Sequence, residues 1–544
     1  MKIFGKNAAA GPAVYDDGKV RVEGVIEKIK AGFKVRGTLR GRPGTVEIFR
    51  APAPNEFLMN NWQSWGPMQK MAAGQKLEGL EERMANQGRY VFTPVPDVAE
   101  KRLVSDYFIA WDRGLAGFLT SKIAHPYFAV ESGELVGYLE YFGTPLKDPV
   151  LLEPLIVLEG NPVEQLLEEY AVRAAAQNDV RVNPWNPVGW SSWYHYFTNL
   201  RFADVEKNLR IARERFPFEV FQIDDGYEAD IGDWLEAKAG FCSLPDLAPL
   251  IRDHGYQAGI WTAPFSAAET SNLFRRHPDW MVSDIGLPKL CFRGWKKNIF
   301  ALDTTNPHVK SWLYETFASL KKIGFDYFKI DFVFSAAMEG VRTRCVSPIQ
   351  AYREGLDVIR QAVGSSFILG CGAPLLPSIG YVDGMRIGED TAPFWDSRKA
   401  PLQGANAYYA LKNSILRAFM HKKWWLNDPD CLLLRRRDTE LAANEIELYA
   451  RAAGALDNMI IESDDLELVD EWGRGLLQEA IRLKGGHVRV RGLMSDDLYL
   501  IDSWGGPAGI FRFAANLSDG PQKLDDQEIP ARTGVFIKPK GDAC

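Results

Sequence analysis

The segment Asp326-Tyr-Phe-Lys-Ile-Asp331 is a short apolar run between two helical patterns, Pro307–Lys322 and Ile349–Val363. Short apolar runs that alternate with long helical patterns are typical of the parallel strands in βαβ units. Side chains two residues apart on a strand point to the same side, so Lys329 and Asp331 share one face. The segment therefore predicts a buried strand that ends in a pair of charged side chains.

The same alternation extends on both sides of this strand. It predicts eight strands, at Val188–Trp193, Glu219–Ile223, Gln257–Trp261, Asp326–Ile330, Phe367–Gly370, Gly384–Ile387, Trp424–Leu426 and Asn458–Ile461. Helical patterns fall between most of them, including Asp204–Arg215, Ala405–Phe419 and Asp438–Ala455. Eight strand–helix units over about 280 residues predict a (β/α)8 barrel. A doubly wound sheet is the alternative.

The flanking regions have a different pattern. From Lys19 to about Gly160, short runs of alternating polar and apolar residues between turn residues predict an antiparallel β-sandwich. An amphipathic stretch, Pro162 to Gln177, predicts a connecting helix, and strand patterns return after Gly486. We therefore predict a multidomain chain, α/β plus all-β. Its domains are an N-terminal β-sandwich with the connecting helix (1–178), a barrel (179–484) and a small antiparallel β domain (485–544).

Composition excludes several functional classes. With 64 basic and 71 acidic residues, the formal net charge is −7, so no basic face for a nucleic-acid partner is expected. No apolar run approaches the roughly 20 residues that span a bilayer, and the first residues lack the apolar core of a signal peptide. Six cysteines are scattered without a C-x-x-C pair. These features predict reduced thiols in a cytoplasmic protein without a membrane partner.

The carboxyl ends of barrel strands build the active sites of this fold. Side chains suited to chemistry lie at the ends of six predicted strands or just after them: Trp193, Tyr194, His195, Asp224, Asp225, Trp261, Lys329, Asp331, Cys371, Arg386, Glu389 and Asp390. A single aspartate at such a junction is often only a helix N-cap. Aspartates at three strand ends, with Trp and Lys on the same rim, instead favour catalytic carboxylates. We expect Lys329 to keep Asp331 ionised, as a nucleophile must be.

Other catalytic motifs are missing from the sequence. The seven histidines form no H-x-H or H-E-x-x-H pair, and no P-loop or G-x-G-x-x-G follows a strand. Gly189-Trp-Ser-Ser-Trp193 lacks the second glycine of a nucleophile elbow. We therefore expect neither a metal nor an organic cofactor, and we interpret His195 as a packed residue rather than a catalytic base.

The strand-end sequences resemble those of the retaining α-galactosidases of glycoside hydrolase family 36, also called melibiases. The strings that carry the resemblance are Asn61-Trp62-Gln-Ser-Trp65-Gly, Trp190-Ser-Ser-Trp193-Tyr194-His195-Tyr-Phe, Ile223-Asp224-Asp225-Gly-Tyr, Gly259-Ile-Trp261, Phe328-Lys329-Ile-Asp331-Phe and Asp383-Gly-Met-Arg386-Ile-Gly-Glu-Asp390-Thr. They occur in the family's order, and the match is best with its compact bacterial members. Many members have Lys-Trp-Asp where this chain has Lys329-Ile330-Asp331, a change on the outward face of the strand.

The resemblance implies a β-sandwich, a (β/α)8 barrel and a C-terminal β domain, with an α-galactoside as the small-molecule substrate. It makes Asp331 the nucleophile and Asp390 the acid/base. The implied sugar contacts are Asp224 and Asp225 at O4 and O6, Lys329, Cys371 and Arg386, and the aromatic side chains Trp193, Tyr194 and Trp261. Trp65, from the first domain, is expected to reach over the barrel mouth.

The chemistry of a retaining glycosidase gives further expectations. Its two carboxyl groups lie about 5 Å apart, so an ionised Asp331 should raise the pKa of Asp390 and keep it protonated. We expect the Arg386 charge to be directed at the sugar or at another acid, and Glu389 is a competing acid candidate. The alternatives are an α-glucosidase or isomaltosidase, an α-N-acetylgalactosaminidase, a galactosyl transferase of the raffinose-synthase type, and a sugar-binding protein that has lost catalysis.

Overall fold

A parallel sheet of eight strands forms the centre of the molecule in the computed structural model, which describes residues 1–7, 9–75, 80–95, 103–396 and 404–537. We label its strands β1 to β8: Val188–Ser191, Val220–Ile223, Gln257–Thr262, Tyr327–Ile330, Phe367–Gly370, Gly384–Arg386, Leu426–Asp428 and Ile460–Glu462. Strand β1 pairs with both β2 and β8. Between β7 and β8, Met459 N donates a hydrogen bond to Asn427 O at 2.9 Å. The predicted barrel is thus confirmed, and the doubly wound alternative is wrong.

The seventh barrel strand is displaced from its prediction, whereas the other seven overlap theirs with ends that differ by at most two residues. We expected the seventh strand at Trp424–Leu426, but β7 spans Leu426–Asp428. The two adjacent tryptophans belong to the preceding turn, in which Lys422 has a positive φ of 57°. Trp424 is buried there and donates a hydrogen bond to Ala171 O, on the connecting helix. Burial against that helix explains why the turn resembles a strand in sequence.

Ten helices surround the barrel in the described residues, and five of them begin at a capping side chain. Their bounds are Trp193–Tyr196, Phe202–Arg215, Leu244–Asp253, Asn272–Arg276, Pro307–Ile323, Pro348–Val363, Leu375–Ser378, Ala407–Leu416, Ala443–Ala455 and Glu471–Leu483, with 3-10 turns at Phe197–Asn199, Pro278–Trp280, Val333–Ala337 and Ala418–Met420. The helix after β4 shows the local logic. Ser347 caps it, Gln350 completes the reciprocal capping box, and Pro348 occupies the first turn.

The N-terminal region is the predicted antiparallel sandwich. One sheet contains Lys2–Ile3, Lys6–Asn7, Thr45–Pro52, Leu103–Asp106, His125–Glu131 and Glu134–Glu140. The other contains Gly11–Asp16, Val20–Ile29, Gly32–Gly41, Glu56–Asn60, Met68–Ala72, Phe108–Trp111, Gly114–Phe118, Leu146–Leu151 and Leu155–Glu159. Apolar side chains from both sheets, such as Phe128 and Val35, form one core. Short helices at Leu80–Gln87 and Arg89–Phe92 precede the connecting helix, Val163–Ala175.

Smaller sheets complete the chain. After β3, the strands Ser266–Ala268, Leu290–Gly294 and Lys297–Ala301 form an antiparallel sheet beside a short ladder, Ser283–Asp284 with Leu287–Pro288. The C-terminal region pairs His487–Arg491, Leu498–Gly506, Gly509–Asn516 and Thr533–Ile537, next to Gln522–Leu524 and Gln527–Ile529. The predicted C-terminal β region is therefore confirmed, while the domain boundaries at 178/179 and 484/485 stay a prediction. No helix in the described residues combines the length and the apolar character needed to cross a membrane.

A buried arginine joins the sandwich to the barrel. Arg417, with no exposed surface, donates two hydrogen bonds to Asn60 Oδ1 at 2.8 and 3.1 Å. A further nitrogen donates to Ser64 O and to Ile387 O, which follows β6. The arginine thereby ties the sandwich segment that leads to Trp65 to the end of a barrel strand.

We expect Arg417→Met to lower the free energy of unfolding by about 2–4 kcal/mol, because several buried acceptors lose their donor together. The measurement is urea denaturation followed by tryptophan fluorescence. Arg36→Met is the matched control, since the Arg36 side chain is 58% exposed and its ion pair with Glu27 should contribute about 1 kcal/mol or less. Equal losses in the two variants would contradict the anchoring role of Arg417.

Candidate active site

A cavity of about 420 Å³ opens at the carboxyl ends of the barrel strands. Eight of the eleven predicted site residues line it: Trp65, Trp193, Asp224, Asp225, Trp261, Lys329, Asp331 and Asp390. The rest of its lining includes Asn61 and Gln63 from the sandwich, Phe292 and Trp295 from the sheet inserted after β3, and further barrel residues such as Glu389. The site is therefore built by three parts of the fold.

Asp224 accepts hydrogen bonds from several strands at the base of the cavity. Its Oδ2 accepts from Lys329 Nζ at 2.8 Å and also from the Gln222 side chain. Its backbone N–H donates to Ser192 Oγ at 2.9 Å. Burial would lower the pKa of Lys329, but the charge of Asp224 outweighs it and holds that pKa well above the usual value. Lys329 therefore remains a cation, and its ion-pair partner is Asp224, which follows β2, rather than Asp331 as we expected.

Asp225 faces the cavity beside it. Its Oδ2 accepts a hydrogen bond from Trp295 Nε1 at 2.7 Å, while its buried Oδ1 has no partner among the described residues. Burial, together with the neighbouring Glu228 carboxyl, raises the pKa of Asp225 to about 9. The next residue, Gly226, has φ +110°, and a Cβ there would lie 2.7 Å from Thr198 Cα. Only glycine fits this turn, which directs the side chains of Asp224 and Asp225 toward the cavity.

Asp331 is held by two donors at the end of β4. Trp261 Nε1 donates to its Oδ2 at 3.1 Å, and Phe332 N donates to its Oδ1 at 2.7 Å. Phe332 has a left-handed φ of 50°, a conformation that a bulky residue adopts only when its surroundings enforce it. Burial raises the pKa of Asp331, and the charge of Lys329 opposes that rise. The carboxyl group is thus fixed in orientation and aimed into the cavity.

Asp390 follows β6, and its side chain is 40% exposed. Arg386, which is 1% exposed, donates a hydrogen bond to Asp390 Oδ1. Burial acts to raise the pKa of Asp390, but the charge and hydrogen bond of Arg386 outweigh it, and the pKa lies below its usual value. This corrects our expectation that Asp331 keeps Asp390 protonated in the free protein. The full charge that contacts Asp390 is the guanidinium cation of Arg386.

The predicted residues Tyr194, Cys371 and Arg386 lie behind the cavity wall. Tyr194 is 3% exposed, and its hydroxyl donates to Asp430, so it is not the pocket wall that we expected. Cys371 is 1% exposed, and its Sγ accepts from Trp65 Nε1 at 3.2 Å. These side chains support the groups that face the cavity.

Trp65 lies over the barrel mouth, as expected, although it belongs to the sandwich. Its ring packs on Gly372, where a Cβ would lie 3.0 Å from the indole and where φ is +52°. Ser64 N donates to Ala373 O at 2.9 Å, which ties the same segment to the loop after β5. Glycine at 372 thus lets the indole approach the strand end closely.

Sequence reasoning missed two groups of residues. Asp428 ends β7 and Asp430 follows it, and the pattern of aspartates at strand ends that singled out other strands would have found them. Phe292 and Trp295 come from the inserted sheet, for which the sequence gives no comparable signal. His195 is half-buried, lies 3.9 Å from Asp465 and does not line the cavity. Within the described part of the chain, no group of three or more His, Cys, Asp and Glu side chains could hold a metal ion.

We expect Lys329→Met to destabilise the protein by about 3–5 kcal/mol, because it leaves the buried Asp224 carboxylate without its cation. Urea denaturation measures this loss. Lys310→Met is the matched control: its pair with Glu354 is 31% and 26% exposed, so the loss there should be about 1 kcal/mol or less. A small loss for Lys329→Met would contradict the charge compensation described above.

Family models match two adjacent parts of the chain. A model described as the N-terminal region of α-galactosidase matches residues 25–159, and the melibiase model matches residues 165–348. Among curated proteins, an α-galactosidase of Escherichia coli is 30% identical over 187 residues, which is 32% of this chain and 26% of that protein. The α-galactosidase AgaA of Geobacillus stearothermophilus is 28% identical over 139 residues, 24% of this chain and 18% of that protein. These alignments span about a quarter or less of the relatives' length.

Solved structures extend the similarity over nearly the whole chain. The α-galactosidase of Thermus thermophilus, in complex with p-nitrophenyl α-D-galactopyranoside, shares 25% identity with a TM-score of 0.73, over 91% of this chain and 98% of that chain. AgaA has a TM-score of 0.64 at 12% identity, over 99% of this chain and 84% of that chain, a likeness of fold alone. The adjacent family models and the shared architecture identify the chain as a member of the α-galactosidase-like glycoside hydrolases of family 36.

Proposed function

We propose that the protein is a retaining, exo-acting α-galactosidase that removes terminal α-linked galactose from galacto-oligosaccharides of the melibiose and raffinose type. The observation that carries the proposal is the convergence of Asp331 and Asp390 on one cavity beside the Asp224–Lys329 ion pair. The Thermus thermophilus relative binds p-nitrophenyl α-D-galactopyranoside and stachyose, which supports an α-galactoside as the substrate.

In this proposal Asp331 is the nucleophile. The N–H donors of Trp261 and Phe332 fix its carboxylate, and Lys329 favours its charged form. Asp331 attacks the anomeric carbon, and the bond to the leaving-group oxygen breaks as that oxygen takes a proton from Asp390. The resulting galactosyl ester of Asp331 is then hydrolysed by a water molecule that gives its proton to Asp390. The configuration at the anomeric carbon is retained, because it is inverted twice.

Asp390 must hold a proton when the substrate is cleaved, although Arg386 lowers its pKa in the free protein. Its side chain is 40% exposed, and a sugar in the cavity would cover that surface. Loss of solvent disfavours a carboxylate and raises its pKa. We infer that substrate binding raises the pKa of Asp390, so that its carboxyl group becomes protonated as the cavity fills.

Asp224 and Asp225 are suited to the O4 and O6 hydroxyls of galactose. Asp224 is paired with Lys329 and accepts hydrogen bonds, whereas the raised pKa of Asp225 keeps a proton on its carboxyl at neutral pH. The two side chains therefore offer an acceptor and a donor. A site built around hydroxyl partners strongly penalises a sugar that misplaces them, as glucose does at O4. The aromatic faces of Trp65 and Trp295 can cover the apolar side of the ring.

Two further expectations from the sequence stay predictions. The absence of nucleic-acid and membrane partners follows from composition alone. The cytoplasmic location rests on the cysteine pattern, and the five cysteines in the described residues are unpaired, while Cys544 lies outside them.

Turnover of p-nitrophenyl α-galactoside, unaffected by EDTA, is the expected result of the primary test. We expect kcat/KM for the galactoside to exceed that for the α-glucoside and the α-N-acetylgalactosaminide at least about tenfold, because each analogue leaves a buried polar group unpaired or overfills the pocket. A preference for glucose would contradict the substrate assignment. Galactose binding without turnover would instead indicate a sugar-binding protein, and activity lost in EDTA would contradict the absence of a metal.

Replacement of each acid by glycine assigns its role. Asp331→Gly should lose at least about 10³-fold in kcat, and azide should restore turnover with a β-galactosyl azide as product, because the anion attacks opposite the α-linked leaving group. Asp390→Gly should keep activity on activated aryl galactosides better than on melibiose. Azide should then yield the α-galactosyl azide, because it replaces water in the second step.

Glu389→Gly is the matched control for the acid, since Glu389 also lines the cavity. It should show neither azide rescue nor the preference for activated leaving groups. If Asp331→Gly gave the α-galactosyl azide and Asp390→Gly the β-galactosyl azide, the two catalytic roles would be reversed. Full activity in both variants would show that the site lies elsewhere.

A further inference from the structure

Arg386 is held between two carboxylates at the end of β6. One guanidinium nitrogen donates to Asp390 Oδ1, and another lies 2.9 Å from Asp430 Oδ1. Its Nε donates to Gly388 O at 3.0 Å. The arginine is 1% exposed and Asp430 is 2% exposed, so the charges interact without much screening by water. A single cation is thus shared by the proposed acid and a second, deeper acid.

The structure around Asp430 fixes that second carboxylate. Its Oδ2 accepts a hydrogen bond from Thr391 N at 2.7 Å and one from the Tyr194 hydroxyl. Its own N–H donates to Asp428 Oδ1 at 3.0 Å, and its backbone adopts a left-handed φ of 80°. Asp430 does not line the cavity. It can therefore affect the reaction only through its neighbours.

We propose that Asp430 is a positioning residue that raises the proton affinity of Asp390. By pairing with Arg386 it takes up part of the charge that would otherwise act on Asp390 alone, and it adds a negative charge behind the same arginine. Both effects favour a proton on Asp390. This inference rests on the proposed function of Asp390 as the general acid, and it deepens that function by naming the group that sets the acid's protonation.

Other charged and titratable groups also face the two carboxyls. Those near Asp390 are Arg386, Lys329, Tyr194 and Cys371, and those near Asp430 are Arg386, Asp390, Lys329, Asp428, Tyr194, Cys431 and Tyr449. Lys329 is engaged by Asp224, and burial with the charge of Asp430 raises the pKa of Asp428 to about 6. Burial and the charge of Asp390 also raise the pKa of Asp430 against the effect of Arg386. Arg386, Lys329 and Tyr194 are the groups that face both carboxyls.

The test is Asp430→Asn, with kcat measured against pH at saturating melibiose and at a saturating activated aryl α-galactoside, because the alkaline limb of kcat reports the pKa of Asp390 in the substrate complex, where it holds the proton. Loss of the negative charge should lower the pKa of Asp390, so its protonated form is lost at lower pH than in the wild type. The alkaline limb of the pH profile for melibiose should therefore move to lower pH by about 1 unit. At a fixed pH on that limb, the rate should fall roughly tenfold. The aryl substrate, whose leaving group needs no proton, should change less than about threefold.

Two further variants separate this effect from a loss of folding. Asp430→Gly should show the same shift, because it also removes the carboxylate. Glycine adopts a positive φ without strain, which offsets part of the stability lost with the hydrogen bonds of Asp430. Asp383→Asn is the matched control: Asp383 is a buried carboxylate paired with Arg360, and it precedes β6 at the opposite end of the barrel. Asp383→Asn should lower the thermal midpoint and leave the alkaline limb in place.

The outcomes are distinguishable. A limb that stays in place, or moves to higher pH, in both Asp430 variants would overturn the proposal, as would equal losses on the two substrates. Failure of the proposed function itself appears earlier. In that case the wild type does not cleave α-galactosides, or Asp390→Gly fails to discriminate between melibiose and the aryl substrate.

Discussion

Burial of charge at the carboxyl end of the barrel is the constraint on which the rest of the site depends. Lys329 and Asp224 form an ion pair with side chains 8% and 2% exposed. A carboxylate left alone at such a depth would cost several kcal/mol, so each charged group needs a partner of opposite sign or a set of hydrogen-bond donors. The surrounding donors, including Gln222 and the backbone of Asp225, satisfy that need for Asp224. The need to compensate these buried charges therefore fixes the geometry of the side chains in the site.

The same requirement explains why parts of the chain that are distant in sequence converge on the cavity. Trp65 from the sandwich and Trp295 from the inserted sheet each donate an indole N–H, to Cys371 Sγ and to Asp225 Oδ2 respectively. Their rings pack around Phe332, at centroid distances of 4.7 and 4.8 Å. The aromatic side chains thus enclose one side of the cavity, and Trp295 also supplies a donor to a carboxylate. The sandwich is therefore part of the site and not only a neighbour of the barrel.

Charge compensation also links binding to chemistry. Arg386 stabilises Asp390 as a carboxylate in the free protein, whereas the proposed reaction needs Asp390 as an acid. A cavity-facing side chain that is 40% exposed can change its protonation when a ligand displaces water, but a fully enclosed one such as Asp430 cannot respond in that way. Arg386 thus pairs with one exposed carboxyl, that of Asp390, and one buried carboxyl, that of Asp430. This arrangement couples the protonation of Asp390 to substrate binding.

The sequence by itself determined the order of strands and helices, the barrel with flanking β regions, and the residue types at the strand ends. These follow from local periodicity, which fixes the face on which Lys329 or Asp331 lies. Only the tertiary structure decided the partners: Lys329 pairs with Asp224, just after β2, Arg386 bridges Asp390 and Asp430, and Tyr194 lies behind the cavity. Periodicity gives the direction of a side chain along its own strand. The distance between charges on different strands depends on how the closed barrel brings those strands together.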